Sequence, residues 1–202
     1  MQTRWSRVLE LRNLVVGYSE PLTKALNLQF ERGSAIAFFG PNGVGKTTLL
    51  KTLSTLLEPL EGYVLLNGEA AEKRRQRIFY LTELIDVPLR VTAKQYVDAV
   101  SGFYPDSIDS LEALRLAGVP PNVKLGKLSM GMRRRAQLAA ALAVAPYVEL
   151  MCLDDPFVGV DAQSSSRILE HFKRDNYVLV VASRTPVEGL ENIDFSTLKP
   201  EE

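Results

Sequence analysis

The chain has 202 residues, 46% of them hydrophobic, and its 24 Lys and Arg residues balance 24 Asp and Glu residues. This length and apolar content fit one domain with a sizeable core, and the single cysteine, Cys152, excludes an internal disulfide. The zero net charge argues against nucleic acid as the main partner, since domains that bind nucleic acid favour a basic surface.

Short apolar runs predict strands in the first and last thirds of the chain, and helical spacing dominates between them. The predicted strands are residues 8–16, 25–30, 35–39, 63–66, 77–81, 148–153 and 177–182. Residues 92–145 are typical of helices, with breaks at 102–105, at 118–121 and at Gly126. Apolar strands on both sides of a helical stretch predict an α/β fold with a mainly parallel sheet and a helical lobe. We place the core at residues 1–85 and 146–202 and the lobe at about 86–145.

Residues 40–48, with the sequence GPNGVGKTT, match the pattern G-x-x-x-x-G-K-[ST] at every constrained position. A predicted strand precedes them, and residues 47–57 follow without Gly or Pro and with leucines at helical spacing. In this geometry successive backbone N–H groups and the positive end of the helix converge on phosphate oxygens. The match therefore predicts a site for a nucleoside triphosphate. Its binding residues would be Gly40, Asn42, Gly43, Gly45, Lys46, Thr47 and Thr48.

Two side chains of this loop have specific expected roles. The Lys46 ammonium would contact the outer phosphates, and the Thr47 hydroxyl would complete the shell of a magnesium ion. The cofactors expected from this loop are accordingly a nucleoside triphosphate and Mg²⁺.

A second chemical element follows the apolar strand at 148–153, where Asp154, Asp155 and Pro156 stand together. Alone, two aspartates after a strand are more often an acidic turn than a site. Downstream of a glycine loop, they are what magnesium positioning requires. Asp154 would then hold a water of the Mg²⁺ shell, and Asp155 would orient or deprotonate the attacking water.

Two further segments complete an ordered series of motifs. Residues 128–132, with the sequence LSMGM, stand before three arginines at 133–135, and residues 159–161 (GVD) follow the aspartates. With the glycine loop, these segments resemble the ATP-binding-cassette (ABC) type of ATPase, the nucleotide-binding subunit of ABC transporters, along almost the whole chain. The resemblance implies a P-loop NTPase core with a parallel sheet, an antiparallel β portion and a helical lobe.

The LSMGM segment resembles the family signature LSGGQ. The resemblance implies that Ser129 and Gly131 contact the γ-phosphate of an ATP held by a second protomer, which the N-terminus of a helix favours. Ser129 can also be an ordinary helix N-cap, and the two roles are compatible with each other. For at least two of the three arginines at 133–135, we expect only a solvated helix face.

Other roles are implied by position within the family pattern. Tyr18 stands where an aromatic ring stacks on adenine, although Trp5 is an alternative platform. Glu83 falls in the Q-loop, where it would accept from water or ligate magnesium. Arg184 occupies the position of the switch histidine.

The departures from the family pattern concern hydrolysis more than binding. Asp155 replaces the catalytic glutamate and is one methylene shorter, Glu83 replaces glutamine, and Arg184 replaces histidine. Met130 and Met132 replace two residues of the signature. Because small positioning errors are costly in catalysis, we expect tight ATP binding and slow turnover.

We interpret the chain as the ATP-hydrolysing subunit of an ABC transporter, which drives a separately encoded integral membrane subunit through residues 83–91. The N-terminal residues lack the apolar stretch of a signal peptide, and residues 136–153 are too interrupted by polar residues and proline to span a membrane. The expected location is therefore the cytoplasm, on the inner face of a membrane through the partner. Asp155, Glu83 and Arg184 would serve the nucleotide bound by this chain, whereas the signature would serve that of the partner. In a heterodimer the departures would therefore modify both nucleotide sites instead of one. This favours a homodimer with two equally modified sites.

Two alternatives remain from the sequence. One is a nucleotide-gated module of the same family with little hydrolysis, which the departures favour. The other is a soluble ABC ATPase that acts on ribosomes or DNA. The ribosomal type usually carries two cassettes and the DNA-repair type a long coiled-coil insertion, and this sequence has neither.

Overall fold

The computed structural model describes residues 7–174 and 176–200, so the alternative platform Trp5 lies outside the described residues. Nine strands occur in this part of the chain. They are β1 (Arg7–Val15), β2 (Leu26–Glu31), β3 (Ala35–Phe39), β4 (Glu61–Leu66), β5 (Glu69–Ala70), β6 (Ile78–Leu81), β7 (Leu150–Asp154), β8 (Val178–Ser183) and β9 (Glu191–Asp194). The seven predicted strands are all present, whereas β5 and β9 are additional.

Four strands form an antiparallel sheet in the order β2-β1-β4-β5. Leu9 and Leu11 of β1 are opposite Leu66 and Val64 of β4, and all four side chains are buried. The alternation of side chains along each strand therefore places one apolar face of this sheet against the core. Asn67 and Gly68 form the two-residue turn to β5 with φ angles of 52° and 80°, the positive pair that a type I′ hairpin requires.

The other five strands form a sheet in the order β6-β7-β8-β3-β9. β7 and β9 pair in parallel with β8 and β3 respectively, and β8 also pairs in parallel with β3. Residues of β7 are buried throughout, as expected for a strand covered on both faces. Cys152 lies in β7, where burial raises the pKa of its thiol far above the ordinary value. The carboxyl ends of β7, β8 and β3 consequently meet at one edge of the sheet.

Five α-helices lie in the described residues: α1 (Lys46–Leu53), α2 (Ala93–Ser101), α3 (Ser110–Ala117), α4 (Met130–Val144) and α5 (Ala162–Phe172). Each predicted break between 92 and 145 separates two of them. A capping box of Thr92 and Gln95 begins α2, and Gly118 ends α3 at a φ of 66°. None of the described helices has the length and apolar character to cross a membrane.

Helix α1 ends at Leu53, four residues before the predicted end at residue 57. Thr55 adopts a φ of 62°. The N–H of Leu56 donates to the carbonyl of Lys51, and that of Thr55 donates to Thr52. This is a Schellman ending in which threonine takes the left-handed position that glycine usually occupies.

The chain divides into two compact units. Within the described residues, the first contains residues up to Tyr80, residues 149–155 and residues from 176 onward, and so includes the antiparallel sheet and most of the parallel one. The second contains Leu81–Val148 and Pro156–Arg174. These bounds differ from the boundaries predicted from the sequence, because α5 packs on α3 and α4 and therefore groups with the helical unit.

Candidate functional site

The glycine loop leaves β3 and enters α1 with backbone angles that only glycine adopts easily. Gly40, Gly43 and Gly45 have φ angles of 154°, 79° and 116°. Lys46 is only 7% exposed, and its ammonium donates to the carbonyls of Gly40 (2.7 Å) and Pro41 (2.8 Å). The lysine side chain therefore folds back along the loop and fixes a positive charge at its centre.

The start of α1 faces the same loop. The N–H of Leu49 donates to the carbonyl of Gly45 at 2.9 Å and makes the first intrahelical hydrogen bond. Thr47 is half-buried and Thr48 is buried at this end of the helix, while Asn42 is exposed on the loop. A helix end that carries backbone donors next to a buried ammonium has the chemistry of a phosphate site.

The segment that carries Tyr18 lies against the glycine loop. A Cβ atom built on Gly45 would be 3.3 Å from Cβ of Leu22 and 3.1 Å from Cζ of Phe195. The N–H of Leu22 donates to the carbonyl of Val16 and closes the turn that contains Tyr18. Tyr18 itself is 63% exposed, so its aromatic ring is open to solvent.

Asp154 ends β7 at the edge from which the glycine loop also departs. Its side chain is buried, and the hydroxyl of Tyr80 donates to its Oδ2 at 3.2 Å. The Asp154 carboxylate and the Thr47 hydroxyl are hard oxygen ligands of the type that Mg²⁺ prefers. A buried carboxylate is expensive without a cation or donors nearby, and its position at this edge fits a magnesium ion bound with phosphates.

Asp155 and Arg184 follow the adjacent strands β7 and β8. Asp155 has a φ of 41°, in a region that Asp and Asn tolerate better than most residues, and its N–H donates to the carbonyl of Ala182 at 3.0 Å. Nε of Arg184 lies 3.4 Å from Oδ2 of Asp155. Two positions that depart from the family pattern thus contact each other. The long side chain of Arg184, in place of histidine, reaches the carboxylate of Asp155, which is one methylene shorter than glutamate.

Within the second unit, the signature segment forms the N-terminus of α4. The hydroxyl of Ser129 accepts from the N–H of Met132 at 3.2 Å, so Ser129 is the N-cap of this helix. A Cβ atom built on Gly131 would lie 2.2 Å from the carbonyl oxygen of Gly159. Gly131 therefore allows the loop at 156–161 to pack directly on the signature.

The three arginines after the signature do not form a solvated face, and that expectation was wrong. Arg133 donates to the carbonyls of Leu125 and Gly126. Arg135 donates to the hydroxyl of Ser164, and Arg134 is completely buried. All three side chains hold other segments of the helical unit in place.

Glu83 follows β6 in the second unit and is exposed. The carbonyls on both sides of it accept hydrogen bonds from α4: Thr82 from Arg134 at 2.7 Å and Leu84 from Gln137 at 3.1 Å. Its backbone is therefore held on both sides, while its carboxylate is left to face solvent. The role assigned to Glu83 remains a prediction from the sequence.

A family model described as ABC transporter matches residues 23–158, which include the glycine loop, the signature segment and both aspartates. The chain belongs to this family. The predicted family, the P-loop fold with a parallel sheet, an antiparallel sheet and helices, and the ABC ATPase function are thereby confirmed.

Individual members of the ABC transporter family are similar over most of this chain. A structure of an ABC transporter ATP-binding protein from Pyrococcus furiosus superposes with a TM-score of 0.88 at 36% identity, over 95% of this chain and 99% of that one. The cytochrome c biogenesis ATP-binding export protein CcmA of Haemophilus influenzae is 31% identical, over 96% of this chain and 97% of its own length. The energy-coupling factor transporter ATP-binding protein EcfA of Methanothermobacter thermautotrophicus is 27% identical over 87% of this chain, which spans 62% of that relative's length.

Sequence reasoning missed two residues of this ABC domain, Arg134 and Gln137. A usable signal was present, because Arg134 shares one helical face with the apolar residues Leu138 and Ala141 at spacings of four and seven. Gln137 interrupts a run of alanine and leucine in the same buried stretch. Polar residues at such positions need hydrogen-bond partners, which here are backbone carbonyls.

We expect Gly131→Ala to destabilise the protein, although alanine in place of glycine ordinarily favours a helix by about 0.5–1 kcal/mol. The new Cβ would overlap the carbonyl of Gly159, and overpacking of this kind costs about 1–3 kcal/mol. Thermal melts would measure the effect, with Met130→Ala at the exposed neighbouring position as the control. A Gly131→Ala protein that melts at or above the wild-type temperature would contradict the packing described here.

Proposed function

We propose that this chain binds ATP with magnesium at the carboxyl edge of its parallel sheet and hydrolyses it in a dimer that drives a separate membrane subunit. The observation that carries the proposal is the position of Lys46, a buried ammonium on two carbonyls of a loop whose glycines all have positive φ. A positive charge in that place is not required to brace the loop, since neutral side chains can also donate to carbonyls. It suits the phosphates of a nucleotide.

The first unit supplies the residues proposed for the nucleotide itself. The phosphates would lie on the glycine loop and the N-terminus of α1, and adenine would stack on Tyr18. Thr47 and Asp154 would hold magnesium, which when bound neutralises phosphate charge and orients the γ-phosphate. Ser129 and Gly131 are proposed to serve the nucleotide of a second protomer, through the hydroxyl and the backbone N–H groups at the start of α4.

Asp155 is proposed to orient the attacking water and to accept its proton, with Arg184 beside it as a donor to the γ-phosphate. The contact between them fits the slow turnover expected from the sequence, because Arg184 engages an oxygen of the carboxylate that would accept the proton. Hydrolysis then requires Arg184 to exchange the carboxylate for phosphate oxygens. The rate would therefore depend on both side chains together.

The proposed membrane partner would dock on residues 83–91 of the second unit. Leu84 is 63% exposed and Leu89 is 52% exposed, although both are large apolar side chains on a short segment. Apolar side chains exposed close together are typical of an interaction surface. The chain would then be held on the inner face of a membrane by that subunit.

We expect the purified chain to be a monomer without nucleotide and a homodimer with ATP and Mg²⁺, because each γ-phosphate gains donors from the facing signature. Mass in solution would be measured on Asp155→Asn protein, in which turnover is blocked, with ADP as the matched control. The homodimer would be overturned if the chain stayed monomeric in saturating ATP by itself but dimerised with a different ATPase subunit.

A second candidate is a module of the same family that binds ATP but hardly hydrolyses it. The contact between Arg184 and Asp155 favours it, since the candidate base is engaged by a cation. A single-turnover measurement with enzyme in excess separates the two: a slow enzyme converts all bound ATP within minutes to hours, whereas a binding module leaves it intact.

A further inference from the structure

Arg134 is the largest side chain in the described residues that is fully buried. It lies on α4, where the other buried residues are almost all alanine or leucine. Burying a guanidinium is unfavourable unless its N–H groups are hydrogen-bonded. The partners of Arg134 therefore decide what this residue does.

Two of those partners are backbone carbonyls from distant parts of the chain. Nε donates to the carbonyl of Pro156 at 2.8 Å, and Nη1 donates to that of Thr82 at 2.7 Å. Both bonds are short, as is usual for charged donors. Pro156 follows Asp155 directly, and Thr82 directly precedes Glu83. One side chain thus holds the carbonyl groups of two residues, one that follows Asp155 and one that precedes Glu83 in the proposed catalytic machinery.

Gln137, one turn further along α4, extends this arrangement. Its Oε1 accepts from Nη1 of Arg134 at 3.1 Å, which orients the amide so that Nε2 donates to the carbonyl of Leu84 at 3.1 Å. Gln137 is also buried. The carbonyls of Thr82 and Leu84, the two chain neighbours of Glu83, are therefore both bound by α4, one by each side chain.

We propose that Arg134 and Gln137 are positioning residues that set the backbone around Glu83 and immediately after Asp155. The inference rests on the proposed function, because it assigns the two residues to the support of that hydrolytic site. Neither side chain is proposed to touch the nucleotide. Their effect is on the backbone of residues 82–84 and of Pro156, to which they donate hydrogen bonds.

The planar fork of arginine accounts for the residue type at position 134. It presents donors in fixed, diverging directions, so that one head group can bind carbonyls from two segments at once. A lysine ammonium keeps the charge but has a single nitrogen on a flexible stem. Lysine cannot reproduce the donors to Pro156, Thr82 and Gln137 together, which makes Arg134→Lys an informative variant.

Arg133 provides the matched control. It is the neighbouring arginine on the same helix and also donates to two backbone carbonyls, those of Leu125 and Gly126. Neither carbonyl adjoins Glu83 or Asp155 in the chain. A lysine substitution there removes the same kind of bonds without touching the proposed support, so it reports the purely structural cost.

The experiment compares Arg134→Lys, Gln137→Met and Arg133→Lys with the wild type, in the full chain. ATP affinity is measured by calorimetry, turnover by phosphate release, and local opening by hydrogen exchange of peptides covering residues 81–86 and 154–158. For Arg134→Lys we expect kcat to fall about 10- to 100-fold, as small misplacements do in active sites. The affinity for ATP should stay within about twofold. The stoichiometry of the same titration should stay at the wild-type value, which excludes a loss of folded protein as the cause of the lower kcat.

Faster exchange is expected in both peptides for Arg134→Lys, and in the first peptide alone for Gln137→Met. If Arg134→Lys proves too unstable to purify, Gln137→Met decides through the first peptide. Exchange and kcat no different from Arg133→Lys would overturn the proposal. A wild type that binds ATP without any turnover would sink the proposed hydrolysis, while the exchange comparison would still decide whether the two residues position this backbone.

Discussion

Replacing Lys46 by alanine is expected to weaken ATP binding by roughly 10- to 100-fold, the largest change in affinity that we foresee for one side chain. A charge-assisted hydrogen bond to a buried partner contributes about 1.5–3 kcal/mol, and each 1.4 kcal/mol is a factor of about ten. The substitution also removes the donor shared by the carbonyls of Gly40 and Pro41. Calorimetric titration with MgATP would measure the affinity directly.

Lys51→Ala is the control for this experiment, since Lys51 lies in the last turn of the same helix, away from the glycine loop. It should leave ATP affinity unchanged and bring only a small change in thermal stability. Wild-type affinity in the Lys46→Ala protein would remove the basis for placing phosphates on this loop.

Asp155→Asn is expected to lower turnover by at least about a hundredfold, because loss of a positioned general base costs about 10² to 10⁴ in rate. ATP binding should survive, since the glycine loop is unaltered. Asparagine tolerates the positive φ at this position as well as aspartate does. The change is therefore confined to the charge and basicity of the side chain, and phosphate release under saturating ATP would measure it.

Asp106 offers a matched control, because it is an exposed aspartate with a φ of 62° in a connection between helices. Asp106→Asn repeats the same chemical change in a similar backbone conformation, far along the chain from the aspartates at 154–155. Equal turnover in Asp155→Asn and wild type would mean that another group handles the attacking water. Arg184→Ala would then be the next variant to test.

Much of this architecture could be predicted because the decisive signals are local. A strand, a glycine loop and a helix are contiguous in residues 35–53, so the pattern that predicts phosphate binding also predicts its supporting fold. The parallel strands β7 and β8 are buried on both faces and consequently appear as unbroken apolar runs. Their carboxyl ends then place Asp154, Asp155 and Arg184 at the edge from which the loop departs.

The parts that escaped prediction depend on tertiary context. Strand β9 (Glu191–Asp194) is polar and pairs with β3 at the sheet edge, so no apolar run marks it. Helix α1 ends early because Thr55 takes a left-handed conformation, for which a β-branched residue gives no warning. Helix α5 was also not predicted, but here local signals were present in the sequence. They are the N-cap Asp161 and the helical spacing of Ile168 and Phe172.

The contact between Arg184 and Asp155 shows why a motif comparison alone is an incomplete account of a site. Judged one position at a time, an aspartate for glutamate and an arginine for histidine are two separate defects. In the structure they lie 3.4 Å apart and form a pair with its own chemistry. A variant that restores the family residues should therefore change Asp155 to glutamate and Arg184 to histidine at the same time.

The burial of Cys152 has a practical consequence for following this protein in solution. Its sulfur lies inside β7 and its pKa is raised by burial, so maleimide reagents have no reactive thiolate to modify at neutral pH. A cysteine introduced at the exposed position of Met130 would then be the single labelled site in an otherwise unaltered chain. A fluorophore there would report the proposed nucleotide-driven dimerisation in real time, without removal of the native cysteine.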